Sequence, residues 1–134
     1  MRILAIDYGR KRIGLAMSDP LGMMAHSLDT LMRTSPRKDV AHIVKLIGEH
    51  EVALLVAGNP ILLNGEASEM SMEAEAFAAR VAERARVPYK MWDERMSSVE
   101  AGHWMRDAGQ RPKRDGGVDR MAARILLDSY LAAQ

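Results

Sequence analysis

The stretch I-L-A-I-D-Y-G-R-K-R-I-G-L-A-M-S-D, residues 3–19, is the most informative part of the chain. Its pattern predicts an apolar strand that ends on Asp7, a turn at Gly9, and a second apolar strand that ends at Asp19. A carboxylate at the last inward position of an apolar strand is costly unless a metal ion, a cation or a proton compensates it. We therefore expect Asp7 to have a binding partner.

Length and composition limit the kind of protein. The chain has 134 residues, which fits a single domain over 1–134 that buries roughly two thirds of its unfolded surface. It has no cysteine, which excludes disulfides, thiolate metal sites and a cysteine nucleophile. The start of the chain has no charged leader or cleavage site, and its longest apolar run, 52–57, is too short to span a bilayer. We expect a cytoplasmic protein with no membrane partner, either a monomer or a noncovalent homodimer.

The charge is unevenly distributed, although the net charge is only +1. Residues 49–80 hold six acids and one base, Arg80, so this segment repels phosphate. Bases gather in two other places: Arg10, Lys11 and Arg12, and then Arg106, Arg111, Lys113, Arg114, Arg120 and Arg124. A single short basic run is more often solvated surface, but a polyanion would be drawn to these two places.

The rest of the chain alternates between strand and helix patterns. With the first two strands at 2–8 and 12–18, further strands are expected at about 24–32, 52–57 and 87–92. Helices are expected from Pro36 for about fifteen residues, over 66–86 and 97–109, and from about 118 onward, with a loop at 111–117. This order predicts an α/β fold with a five-stranded mixed sheet. Strands 1–3 form an antiparallel meander, strands 4 and 5 are parallel, and helices cover both faces.

Four acids follow strand ends or begin a helix near one edge of this sheet. Asp7 ends the first strand, Asp93 and Glu94 end the last, and Asp119 lies in the first turn of the final helix. Converging carboxylates repel one another unless a cation lies among them, and an all-oxygen cluster suits Mg²⁺ or Mn²⁺.

Each acid also has an ordinary explanation. Asp119 alone would satisfy a helix dipole, Asp93 and Glu94 would form a turn with an ion pair to Arg95, and Asp7 would accept hydrogen bonds from the glycine turn. Together, and beside two basic clusters, the acids favour a site for metal and phosphate.

In the final helix, Ala122, Ala123 and Leu126 follow Asp119 by three, four and seven residues. This spacing predicts that Asp119 lies at the margin of the buried stripe. The residues expected to face inward are Met121, Ala122, Ile125, Leu126 and Ser129 or Tyr130.

Three ordered motifs carry a resemblance over essentially the whole chain. They are I-D-Y-G-R-K-R-I-G-L-A-M-S-D at 6–19, W-D-E-R-M-S-S-V-E-A at 92–101 and V-D-R-M-A-A-R-I-L-L-D-S-Y-L at 118–131. The chain resembles the YqgF (RuvX-type) family, nucleases of the ribonuclease H superfamily related to Holliday-junction resolvases.

The resemblance implies a ribonuclease H-like fold with a carboxylate cluster that binds Mg²⁺ or Mn²⁺. Asp7, Glu94 and Asp119 match the three acidic positions of the family as metal ligands and catalytic residues, and Asp93 is close enough to contribute. The fold implies two-metal hydrolysis of phosphodiester bonds. The role suggested for the family is 5′-end maturation of pre-16S ribosomal RNA, with ribosomal precursor particles as partners, and junction resolution has also been proposed.

Bases near these acids suit phosphate, because guanidinium forks match phosphate oxygens. The expected nucleic-acid contacts are Arg10, Lys11, Arg12, Arg95, Lys113 and Arg114. Trp92 and Trp104 could stack on bases, although core packing is the favoured role for Trp104.

The sequence departs from the family pattern in two loops. One is G-N-P-I-L-L-N-G at 58–65, where Asn59 and Leu62 alter the usual turn, and the other is R-P-K-R-D-G-G-V at 111–118, where Asp115 interrupts the basic run.

Three classes of function remain open at this point. The leading hypothesis is a metal-dependent nuclease acting on RNA, and DNA junction cleavage differs from it only in substrate. The second is a nucleic-acid-binding module without turnover. The third is a phosphotransferase of the actin-like kind, which would need two such domains where this chain has room for one.

Overall fold

The computed structural model describes residues 1–60, 64–93 and 117–134, with residues 117–120 as backbone only. The strands are β1 (Arg2–Asp7), β2 (Arg12–Ser18), β3 (Ala25–Ser27), β4 (Leu31–Met32), β5 (Val52–Asn59) and β6 (Tyr89–Asp93). The helices are α1 (Pro36–Glu49), α2 (Glu69–Ala85) and α3 (Gly117–Ala132). The helix expected over 97–109 lies outside these residues. The loop expected at 111–117 also lies outside them, except for its last residue, Gly117, which begins α3.

The strands form one mixed sheet in the order β3-β2-β1-β5-β6, and β4 also pairs with β2. The β1–β2 and β2–β3 pairs are antiparallel, whereas β5 is parallel to both β1 and β6. The predicted antiparallel meander followed by parallel strands is therefore confirmed.

The third strand differs from its prediction, because the run expected at 24–32 is divided into β3 and β4. Both pieces pair antiparallel with β2, with Ala16 opposite Ser27 and Ile13 opposite Leu31. Between them the chain stays beside β2, where the amide of Leu28 donates to the carbonyl oxygen of Leu15 at 2.9 Å. Asp29 falls in this interruption, and aspartate is depleted in strands.

Serine caps begin the first two helices. The Ser35 side chain accepts a hydrogen bond from the amide of Lys38, and Pro36 occupies the first helical turn of α1. The Ser68 side chain accepts one from the amide of Ser71 at the start of α2. These contacts satisfy amides that have no partner within the helix, and the helix start that Ser35-Pro36 predicts is confirmed.

Two hydrophobic clusters lie on opposite faces of the sheet. Leu4 and Ile6 of β1 belong to the cluster beneath α1 and α2, whereas Ile3 and Ala5 belong to the cluster beneath α3. This alternation is that of a strand covered on both faces. Helices on both faces, as predicted, are confirmed.

The inward face of α3 is shifted from the predicted one. Its buried residues are Ala123, Leu126, Leu127 and Tyr130, whereas Met121, Ala122, Ile125 and Ser129 are half-buried. The prediction is confirmed for Leu126 and Tyr130 but not for Met121, Ala122 and Ile125. A helix with apolar residues on two of its sides gives only a weak sequence signal for which side is buried. In the described part of the chain, no helix is long and apolar enough to cross a membrane.

Candidate active site

Asp7 is the last residue of β1 and lies at the edge of the sheet where the parallel strands end. Its side chain is half-buried. Since Ile3 and Ala5 face α3, the alternation of the strand places Asp7 on the same face. The structure therefore presents this carboxylate at the strand-end edge, which is where ligands gather in α/β sheets.

Glycines flank Asp7 on both neighbouring strands. Gly14 of β2 is its antiparallel partner in the register. On the other side, Ile6 pairs with Ala57 of β5, so Gly58 is the next residue alongside Asp7. Both glycines are buried, and neither has a side chain that could form a cross-strand pair with the carboxylate.

Asp93 ends β6 and pairs with Asn59 of β5. Trp92 packs against the cluster beneath α3 and Met91 against the opposite cluster, so the alternation places Asp93 on the face of α1 and α2. Strand β5 separates β6 from β1, which puts their backbones roughly 10 Å apart. Asp93 and Asp7 therefore lie at the same edge of the sheet, two strands apart, but on opposite faces of it.

Asn59 belongs to the loop that departs from the family pattern. Its side-chain oxygen accepts a short hydrogen bond from the hydroxyl of Ser71 in α2. The next carbonyl, that of Pro60, accepts from the Ser68 hydroxyl at 2.6 Å. Asn59 therefore ties the end of β5 to the start of α2, while Leu62 lies outside the described residues.

The direction of α3 follows from the position of its C-terminal end. Tyr130, Leu131 and Gln134 line a surface pocket together with Met1 and Ile3, at the beginning of β1. The helix thus runs antiparallel to β1, and its first turn is directed toward the edge that holds Asp7.

Asp119 belongs to the backbone of that first turn. Position 119 precedes the buried Ala123 by four residues and Leu126 by seven, in the row of helical positions that faces the sheet. The side chain of Asp119 and all of Glu94 lie outside the described residues.

The donor chemistry at this edge fits a divalent cation. The acids there offer carboxylate oxygen, the ligand that Mg²⁺ and Mn²⁺ prefer. Among the residues described with side chains, no group of three or more histidine, aspartate or glutamate residues could hold a metal ion. A complete ligand set would therefore need Glu94 or Asp119.

The predicted cationic contacts differ in their surroundings. Arg10 is exposed but forms an ion pair with Glu73 of α2, with Nη2 at 2.6 Å from Oε2. Lys11 is exposed and Arg12 is half-buried. Arg95, Lys113 and Arg114 lie outside the described residues.

This ion pair changes the titration of its acid. The hydrogen bond from Arg10 lowers the pKa of Glu73, and the tyrosine hydroxyl of Tyr8, 3.3 Å from Oε1, acts in the same direction. The turn after Asp7 is thus linked to α2 through a carboxylate that stays ionised at neutral pH.

Sequence reasoning missed a second ion pair, between Arg33 and Asp39. Nε of Arg33 lies 3.0 Å from Oδ2 of Asp39, and the side chain of Asp39 is only 2% exposed. Asp39 precedes Ile43 by four residues and Ile47 by eight, both buried in α1. An acid on the apolar stripe of a helix was the signal that could have found it.

Trp92 is half-buried and contacts α3 through both its indole nitrogen and its ring. Its Nε1 donates to the hydroxyl of Ser129 at 3.0 Å, and its ring meets that of Tyr130 edge-on, with centroids 5.3 Å apart. Trp104 lies outside the described residues.

Comparison with known families matches the chain to the RuvX family, described as Holliday junction resolvase, over residues 1–133. A protein of Koribacter versatilis (strain Ellin345), provisionally named a pre-16S rRNA nuclease, is 42% identical over 131 residues, which is 97% of this chain and 86% of that protein. A relative of the same name from Syntrophus aciditrophicus (strain SB) is 41% identical over 134 residues, or 99% and 89% of the two chains.

Solved structures share the fold at much lower identity. Thermus thermophilus RuvC superposes with a TM-score of 0.61 at 14% identity and covers 99% of this chain and 96% of its own. RuvC from the same organism in complex with a Holliday junction substrate gives 0.60 at 15% identity, covering 99% and 95%. These similarities confirm the ribonuclease H-like fold that the sequence motifs implied.

Proposed function

This chain belongs to the RuvX family, and we propose that it is a nuclease that uses Mg²⁺ or Mn²⁺ to hydrolyse phosphodiester bonds in RNA. The family and its curated relatives are nucleases, so phosphodiester hydrolysis is the class of reaction. The observation that best supports a metal site is Asp7, half-buried at the end of β1, between Gly14 and Gly58 and on the face of α3.

We assign the metal to Asp7, Glu94 and Asp119, with these residues as the catalytic set. Asp7 ends the central strand, and α3 brings position 119 toward the same edge and face. Asp93 is the weakest candidate of the four acids, because the alternation of β6 directs it to the opposite face. Bound divalent ions supply activation of the attacking water and stabilisation of the departing 3′ oxygen.

The residues of the chain itself bind and orient the substrate backbone. Lys11 is exposed beside the strand-end edge, and its charge favours a phosphate there. Arg12, Arg95, Lys113 and Arg114 are the further proposed phosphate contacts. Arg10 is also a proposed phosphate contact, once a phosphate displaces Glu73 from the Arg10 guanidinium.

The substrate we propose is the 5′ end of pre-16S ribosomal RNA, in the cytoplasm and within ribosomal precursor particles. Relatives about two fifths identical over nearly the whole chain carry pre-16S rRNA in their names. A four-way DNA junction is the second candidate, because the family description names Holliday junction resolvase. We propose that 1–134 acts as a single nuclease domain, as a monomer or a noncovalent homodimer.

The test is cleavage of a pre-16S RNA fragment and of a four-way DNA junction by the wild-type protein and by Asp7→Asn, with Mn²⁺, with Mg²⁺ and with chelator. We expect metal-dependent cleavage of the RNA that leaves a 5′-phosphate, and loss of that cleavage in Asp7→Asn. Mn²⁺ binding by calorimetry should weaken in the same variant, with circular dichroism unchanged.

Asp19→Asn is the matched control, since it removes a carboxylate after β2 at the opposite edge of the sheet. It should cleave as the wild type does. RNA binding without cleavage under either metal would instead identify a binding module, and preferential cleavage of the junction would reassign the substrate to DNA. Full activity of Asp7→Asn would overturn the proposed site.

A further inference from the structure

Arg33 connects the start of α1 to the turn that follows Asp7. Its Nη1 donates to the carbonyl oxygen of Gly9 at 3.1 Å, while its Nε donates to Asp39 at 3.0 Å. The side chains of Arg33 and Asp39 are 12% and 2% exposed. One nearly buried guanidinium thus holds a backbone atom two residues beyond the proposed metal ligand.

Aromatic rings hold the same guanidinium in place. The central carbon of the Arg33 guanidinium lies 4.9 Å from the ring centroid of Tyr8 and 5.4 Å from that of Phe77. The two rings pack against each other with centroids 5.4 Å apart. Both are within the range of cation–π attraction, so the fork of Arg33 is fixed in orientation.

Asp39 is itself immobilised, which makes it a firm anchor for Arg33. Its Oδ1 accepts a hydrogen bond from the amide of Thr34 at 3.2 Å and lies 3.5 Å from the Thr34 hydroxyl. Its position in the first turn of α1 adds the favourable helix dipole. Every polar side-chain atom buried in the described part of the chain has a hydrogen-bond partner.

The turn that receives this anchor has little room to adjust. A Cβ atom at Gly9 would overlap the carbonyl oxygen of Arg12, so the backbone of the turn approaches itself closely. Tyr8 and Gly9 follow Asp7 directly. The direction of the Asp7 side chain therefore depends on the Tyr8–Gly9 backbone. Arg33 holds this segment at two points, the ring of Tyr8 and the carbonyl oxygen of Gly9.

We propose that Arg33, fixed by Asp39, is a positioning residue for Asp7, which it orients for metal binding through the Tyr8–Gly9 backbone. This inference rests on the proposed function. It differs from a purely structural role in what it affects. Loss of a purely structural ion pair changes only the free energy of unfolding. Loss of a positioning residue also weakens metal binding, and it does so even under conditions where the variant stays fully folded.

Two variants separate these roles. Arg33→Lys keeps the charge beside Asp39 but cannot reach two acceptors with a planar fork. The double variant Arg33→Met/Asp39→Asn removes both charges, so no unpaired charge remains buried. Lys45→Met is the matched control, since it breaks an exposed ion pair on the same helix, to Glu49 at 3.7 Å.

In both Arg33 variants we expect the Mn²⁺ dissociation constant, measured by calorimetry, to rise about tenfold or more. The Mn²⁺ concentration for half-maximal cleavage should rise by a similar factor. Losses of this size are typical when residues that support metal ligands are removed. The KM for RNA should stay within about twofold, because no phosphate contact is lost. Lys45→Met should leave all three quantities unchanged. In metal-free wild-type protein, amide order parameters of residues 8–11 should be near 0.85, the value of rigid backbone.

The outcomes are distinguishable. Wild-type protein that neither binds Mn²⁺ nor cleaves RNA overturns the proposed function, and the inference with it. Wild-type protein that does both, with unchanged Mn²⁺ affinity in folded Arg33→Lys, overturns the inference alone. Should both variants fail to fold, order parameters below about 0.6 in the wild-type turn would also overturn it, and rigid values would support it.

Discussion

Nη2 of Arg10 lies 2.6 Å from Oε2 of Glu73 and joins the turn after β1 to the first half of α2. Nε of Arg10 also donates to both oxygens of the same carboxylate, at 3.3 and 3.2 Å. The first arginine after Asp7 is therefore engaged by an acid before any nucleic acid arrives. A phosphate that binds Arg10 must compete with Glu73.

Glu73→Gln should strengthen RNA binding. The substitution removes the competing charge while it keeps a side chain of the same size, and we expect about twofold to fivefold tighter binding, the range typical of exposed ion pairs. Fluorescence anisotropy with labelled RNA and chelator present measures this without cleavage. The salt dependence of binding should steepen, because one more cation becomes available to phosphate.

Glu75→Gln is the matched control for this prediction. Glu75 is exposed on the same helix, so its removal changes the net charge by the same amount. Equal strengthening in both variants would attribute the effect to net charge and contradict the specific role of Glu73.

The turn after β2 should become less stable in acid. Asp19 accepts hydrogen bonds from the amides of Met23 at 2.7 Å and Met24 at 3.5 Å. The Met23 bond chiefly lowers its pKa below the ordinary value of 3.8. A carboxyl whose pKa is lower in the folded state stabilises that state above its unfolded pKa, and this contribution is lost as pH falls through the folded pKa.

Asp19→Asn should therefore destabilise the protein at neutral pH and have little effect in strong acid. Urea unfolding of both proteins at pH about 7 and about 3 measures the difference. We expect the difference in free energy of unfolding to shrink as the pH is lowered. A constant difference at both pH values would contradict the linkage.

Gly9→Ala should destabilise the protein, because a Cβ there overlaps the backbone oxygen of Arg12. Backbone must shift to accept it, at a cost of about 1–3 kcal/mol. Gly48→Ala is the control, since a Cβ in that helical position meets nothing within 4 Å and should stabilise the protein by about 0.5–1 kcal/mol. Thermal unfolding of both variants checks the two signs, and equal shifts would refute the steric argument.

Much of the fold was accessible from the sequence because its signals are local. The serine before Pro36 marked a helix start, and the unbroken apolar run beginning at Val52 marked a strand covered on both faces. The rotation of α3 was not accessible, because its surroundings, rather than its own sequence, decide which apolar residues are buried. The division of the third strand likewise depended on pairing with β2.

The candidate site was only partly accessible. The position of Asp7 at a strand end follows from an apolar run that stops at an acid, and the structure agrees with it. The ion pair of Arg10 with Glu73 joins residues 63 positions apart, and no periodicity of either segment encodes it. The contact of Arg33 with Gly9, 24 positions apart, is equally a product of tertiary packing.

Trp92 should act in stability rather than in base stacking. Its Nε1 bond to Ser129 and its edge-on contact with Tyr130 tie β6 to α3. Trp92→Leu should lower the free energy of unfolding by about 2 kcal/mol through lost packing and one lost hydrogen bond. The RNA dissociation constant, measured with chelator well below the unfolding temperature, should stay unchanged.

Ser129→Ala isolates the hydrogen bond, because it removes the acceptor and leaves the indole in place. It should cost about 1 kcal/mol, and the loss in the double variant should be smaller than the sum of the two single losses, since both remove the same bond. A base-stacking tryptophan behaves differently: its replacement by leucine would weaken RNA binding by about 1–3 kcal/mol. Such a loss, with stability unchanged, would return Trp92 to the nucleic-acid interface.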